Sequence, residues 1–134
     1  MIAYHDLEDL VQARLEDAQA LFQAARYDCA LYVCGYAVEI ALKARISKTL
    51  GWNGFPDSRK DFEKLQTFKT HELNVLLRLS GIEDLINREP RLSALWYTVS
   101  LWSPELRYQR VGTFTRIAAE QMLKAAANLK DIFL

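Results

Sequence analysis

Tyr32, Tyr36, Glu39 and Lys43 stand four, three and four residues apart inside one long apolar stretch. At about 100° per residue, a helix brings all four within roughly 60° of one another, as a single stripe. Two phenols, a carboxylate and an ammonium on one line can stack a base, accept from its amino groups and neutralise a phosphate. They can also satisfy one another. Glu39 and Lys43 are ordered for a helical ion pair, and tyrosines pack with their hydroxyls at the edge. Position argues for a specific role for the acid, because an unpaired carboxylate amid apolar neighbours costs on the order of several kcal/mol.

Two further places carry polar chemistry. His71 follows a basic loop at the predicted start of a helix, suited to hydrogen bonding, general-base work or simple local packing. Arg107 and Tyr108 fall between predicted helices, where an arginine fork can grip a phosphate or a carboxylate, Glu39 included. Other chemistries lack their signatures. The chain has no phosphate-binding glycine-rich loop, nucleophile elbow or dinucleotide fingerprint. Its two histidines, His5 and His71, lie far apart, so no metal site and no cofactor is expected. Cys29 and Cys34, five residues apart, point about 140° away from each other on a helix. Both read as small buried hydrophobes.

The elements that must position these groups are helical, for three- and four-residue spacing dominates and strand-like alternation is absent. The first helix runs from about Asp6 to Ala25, with Val11, Leu15, Ala18, Phe22 and Ala25 as its apolar seam. Arg26-Tyr27-Asp28 breaks the chain, with Asp28 as the N-cap of the next helix. That second helix, about Cys29 to Leu50, is apolar nearly all round up to Leu42 and must be covered on several sides. Gly51 to Lys69 is an unusually long irregular loop, whose Trp52 and Phe55 are expected to fold down over the core. A third helix spans about His71 to Ser80, capped by Thr70 and stopped by Gly81. Pro90 opens a fourth, with Leu92, Leu95, Trp96, Val99 and Trp102 on one face and Ser103-Pro104 at its end. A fifth starts at Thr113 or Thr115 and buries Ala118, Met122, Ala125, Ala126, Leu129 and Phe133. The short links argue for an all-α, up-and-down bundle of four to five helices, one domain over residues 1–134.

Bulk properties narrow the classes of function. Hydrophobic residues make up 51% of the chain, which argues against global disorder. Seventeen basic and 17 acidic side chains cancel, which removes a simple argument for a polyanion-binding protein. The distribution is uneven: residues 1–25 carry five acids against Arg14, and residues 43–78 carry eight bases against four acids. The start has no basic stretch followed by an apolar one, so no signal peptide is read. The charge-free run Cys29–Val38 is about half of a bilayer span. A cytoplasmic protein without membrane contact is the expectation.

The segment Arg26-Tyr27-Asp28-Cys29-Ala30-Leu31-Tyr32-Val33-Cys34-Gly35-Tyr36-Ala37-Val38-Glu39-Ile40-Ala41-Leu42-Lys43-Ala44 resembles the signature of the HEPN family. In that signature an aromatic turn leads into a helix carrying Gly-Tyr-Ala-Val-Glu and Leu-Lys-Ala. Thr70-His71-Glu72-Leu73 with Leu76-Leu77 is similar to the family's His-acid-Leu segment, and Trp102 through Tyr108 to its Arg-Tyr segment. Together these cover almost the whole chain in the expected order. The resemblance implies a bundle of four to five helices, usually a homodimer, with a polar groove at or near the subunit interface. It also implies work on nucleotides or RNA, often in toxin–antitoxin or defence systems beside a nucleotidyltransferase-like partner. Many members are metal-independent ribonucleases using an Arg, four to six residues, then a His. That motif is missing here: Lys64, Leu65 and Gln66 stand five to seven positions before His71. Lys64 lacks the bidentate fork of arginine.

The expectation is therefore a non-catalytic nucleotide- or RNA-binding homodimer, with Tyr36, Glu39, Lys43, His71, Arg107 and Tyr108 around the groove. The alternatives are a ribonuclease toxin with His71 as its base, and an antitoxin-like or scaffold subunit that pairs through the apolar second helix.

Overall fold

The computed structural model describes residues 1–134 and is an all-α helical bundle. Its helices are α1 (Tyr4–Gln23), α2 (Tyr27–Leu50), α3 (Leu73–Ser80), α4 (Glu83–Arg88), α5 (Pro90–Ser100) and α6 (Arg116–Phe133). The six-residue α4 is an element that periodicity did not expose, being too short to show one. Two-residue strands, β1 (Ile2–Ala3) and β2 (Gly54–Phe55), pair antiparallel and tie the start of the chain to the long loop.

Helix α2 is the central rod. It packs most extensively on α1 and then on α6 and α3, which is the covering its all-round apolar sequence requires. Around it lies one cluster of 27 buried hydrophobic residues running from Leu7 to Phe133. On α1, Leu7, Val11 and Ala18 are buried while Ala25 lies beyond the helix, exposed. The α6 stripe falls on Ala119, Met122, Ala125, Ala126, Leu129 and Phe133, with Ala118 at its edge. Thr115 caps α6, its hydroxyl accepting from the Ala118 amide at 3.1 Å.

Several local expectations are corrected. Asp28 is not an N-cap; it lies inside the first turn of α2, and Arg26 takes the cap position with no side-chain bond. The Asp28 carboxylate instead accepts from the amides of Gly112 (2.7 Å) and Phe114 (2.8 Å), fastening the segment before α6 to the start of α2. Cys34 is buried as expected but Cys29 is exposed, because it sits near that open end of α2. Helix α3 starts at Leu73 rather than His71, and the Thr70 hydroxyl accepts from the Glu72 amide at 3.1 Å. Gly81 does end it, in the left-handed conformation at φ 79°. Helix α5 stops at Ser100, so Trp102 leaves the α5 face and lies in the link before the next 3-10 turn.

The 51–69 segment is less irregular than its composition suggests. Besides β2 it holds the 3-10 turns Asp61–Lys64 and Gln66–Phe68. Phe55 and Phe62 are buried, and Trp52 meets Phe68 edge-on at 5.0 Å. This stretch is packed over α2, and its far end delivers Lys69 and His71 to the groove described next.

Candidate functional site

Glu39 is the organising group. It is 3% exposed, on the part of α2 that α3 and the long segment cover. Its Oε1 accepts from Lys43 Nζ at 2.6 Å, one helical turn on. The same oxygen lies 2.8 Å from His71 Nδ1. Oε2 is buried and meets no protein donor. The Lys43 ammonium also lies 5.5 Å from the centroid of the Phe55 ring, so aromatic and carboxylate together hold it.

His71 reaches this buried acid from a chain segment that is otherwise at the surface, and its side chain remains 64% exposed. An ionised carboxylate only accepts, so we assign the proton of this contact to Nδ1. Nε2 is then the free nitrogen of the ring, at the edge away from Glu39. A ring held at one nitrogen and open at the other is oriented for a ligand or for proton transfer.

Trp102 forms the opposite wall and is 4% exposed. Its indole lies on Gly35, where a Cβ would come within 2.1 Å of the ring, so the helix must carry a glycine there. The indole N–H donates to the Tyr32 carbonyl at 3.0 Å. Tyr36 meets the indole edge-on, ring centroids 4.9 Å apart, and shares a 3.1 Å hydroxyl contact with Tyr32. That hydroxyl contact, with burial as the second cause, pushes the Tyr36 phenol up to about 12.

Arg107 comes from the 3-10 turn Pro104–Tyr108. Its Nη1 donates to the Pro104 carbonyl at 2.8 Å, and its guanidinium carbon lies 4.5 Å from the centroid of the Tyr108 ring. Both contacts orient the fork. Arg107 does not pair with Glu39, whose Oε1 meets Lys43 and His71 and whose Oε2 meets no protein donor.

These side chains border a groove of about 620 Å³, lined among others by Tyr36, Lys69, His71, Trp102, Glu105 and Arg107. Of the six residues expected around it, Tyr36, His71 and Arg107 line it. Glu39 lies beneath His71, and Lys43 supports Glu39 without lining the groove. Tyr108 is 77% exposed and serves as a platform for Arg107 rather than as a wall. Lys69, Trp102 and Glu105 escaped the sequence reading. The signal for Trp102 was Gly35, a small residue inside a helix that lets a neighbour approach closely, though the sequence does not say which. Lys69 and Glu105 are surface charges with no pattern to mark them. No group of three or more His, Cys, Asp or Glu side chains is placed to hold a metal ion, and no helix is long and apolar enough to cross a membrane.

Compared with known proteins, the chain matches no family model, no curated protein and no solved structure.

Proposed function

We propose that this chain is a HEPN-like protein that binds a nucleotide or RNA in the groove between α2, the His71 segment and the Arg107 turn. The observation that carries the reading is the fixed imidazole: His71 is exposed in the groove while a buried carboxylate, Glu39, holds its Nδ1 at 2.8 Å. Arg107, oriented by Pro104 and Tyr108, offers a fork suited to phosphate. Tyr36 supplies an aromatic surface of the kind that meets bases. A volume of about 620 Å³ is in the range of small-ligand sites.

In this proposal the protein acts without catalysis, as a homodimer in the cytoplasm. Its setting is a toxin–antitoxin or defence system beside a nucleotidyltransferase-like partner, which rests on the resemblance of the 26–44, 70–77 and 102–108 segments. Titration calorimetry with 5′-AMP and a short single-stranded RNA tests the binding. Saturable heat that disappears in Arg107→Ala supports it, and no heat with either ligand removes it. Sedimentation of the same samples reads the homodimer.

One observation favours a second reading. With Nδ1 engaged by Glu39, Nε2 is the nitrogen through which a neutral His71 ring would take a proton from a ribose hydroxyl, as a metal-independent ribonuclease would need. RNA cleavage lost in His71→Ala supports that reading, and RNA left intact by the wild-type protein counts against it.

A further inference from the structure

A second groove adjoins the first. It has a volume of about 480 Å³ and is lined among others by Arg26, Tyr27, Cys29, Tyr32, Arg107 and Phe114. Arg107 lines both grooves. The divide between them is completed by the tyrosine pair, Tyr36 on the first side and Tyr32 on the second, with hydroxyls 3.1 Å apart and rings edge-on.

Charge gives this pair of grooves a direction. In the first, Lys69 and Arg107 are offset by Glu72 and Glu105, so a second phosphate gains little there. In the second, Asp28 is the one acid, and both its oxygens are already occupied by the amides of Gly112 and Phe114. Arg26 is exposed beside it. A strand entering the first groove therefore meets increasingly favourable potential across Arg107 towards Arg26. The second groove also offers the rings of Tyr27, Tyr32 and Phe114, which suit a flat, sequence-independent contact with a base.

We propose that the ligand is a dinucleotide unit of single-stranded RNA, with one base in each groove and the bridging phosphate on Arg107. This rests on the nucleotide-binding reading above and adds to it a second subsite and a ligand length. Single-phosphate ligands separate the two claims: 5′-AMP fills only the first groove, and the dinucleoside monophosphate ApA fills both. Cys29, exposed in the second groove, supplies a block that leaves the fold alone, since Cys34 is buried and out of reach of a maleimide.

The test is titration of unmodified and N-ethylmaleimide-treated protein with both ligands. ApA is expected to bind ~10-fold more tightly than AMP, the order of one added base–aromatic contact. After treatment, AMP binds as before and ApA loses its advantage. Equal affinities for AMP and ApA in the untreated protein, or an ApA advantage that survives the maleimide, overturns the second subsite while the first stands. Binding of neither ligand removes the nucleotide reading itself, and this inference with it.

Discussion

His71 Nδ1 and Lys43 Nζ converge on a single oxygen of Glu39, at 2.8 Å and 2.6 Å, although His71 is thirty-two residues away in the chain. One donor comes from the same helix and lies mostly within the protein; the other comes from a surface segment and stays largely exposed. The pair Glu39–Lys43 therefore belongs to the stability of the bundle. Glu39–His71 belongs to the orientation of the groove.

The two members of the ion pair are not equivalent. Lys43→Met leaves a buried carboxylate with only the exposed imidazole as donor, and is expected to cost about 3 kcal/mol. Glu39→Gln leaves an ammonium that can slide its flexible stem towards solvent, and is expected to cost only about 1 kcal/mol. Urea unfolding of both variants checks the order; a larger loss for Glu39→Gln contradicts it.

Gly35 is required by Trp102. The Cβ of Gly35→Ala would sit 2.1 Å from the indole, against three ring atoms that belong to a rigid side chain. Displacing the ring is expected to cost about 1–3 kcal/mol and to alter the groove wall. Tryptophan emission and thermal unfolding read the two effects. Unchanged emission and midpoint would show that the wall is not seated as described.

The two thiols differ in access. Cys29 is exposed and Cys34 is buried, so a thiol reagent at neutral pH is expected to modify one cysteine per native chain and the second only on unfolding. Counting modified thiols by mass spectrometry checks this, and rapid double labelling of the folded protein would refute it.

Stability should fall on the alkaline side. Burial pushes the Cys34 thiol up to about 12 from an ordinary value near 9. The Tyr32 contact, with burial, does the same to Tyr36 from an ordinary value near 10. Both groups keep their protons longer when folded. Their stabilising contributions are thus complete below pH 9 and 10 respectively, and are lost as pH rises towards 12. Urea midpoints at pH 8 and pH 11 should drop less for Cys34→Ala than for the wild type. An equal drop would assign the alkaline loss to other groups.

Much of this was legible in the residues. A helix with no polar face had to be covered on several sides, at the centre of the bundle or at a subunit interface, and α2 is the central rod. Glu39 and Lys43, four apart with the acid first, were ordered for a helical ion pair, and they form one. What the sequence hid was set by contacts distant along the chain. Nothing near Asp28 announces that its carboxylate will serve the amides of Gly112 and Phe114 rather than its own helix. Local spacing likewise cannot separate Trp102 from the α5 stripe, because its partner, Gly35, is 67 positions earlier. Helix α4 has six residues, less than two turns, too few to show a period. The histidine was recognisable as a candidate, but only the fold shows that its Nδ1 meets the acid of the second helix.

The claim that most depends on this geometry is that a ligand meets the open edge of His71. Nitrogen-15 NMR of the His71 ring during titration with 5′-AMP reads it at the atom concerned. A saturable shift of Nε2 is expected, exceeding any change at Nδ1 and vanishing in Arg107→Ala. A His71 ring whose resonances stay still through millimolar nucleotide, in a protein that remains folded, would contradict it.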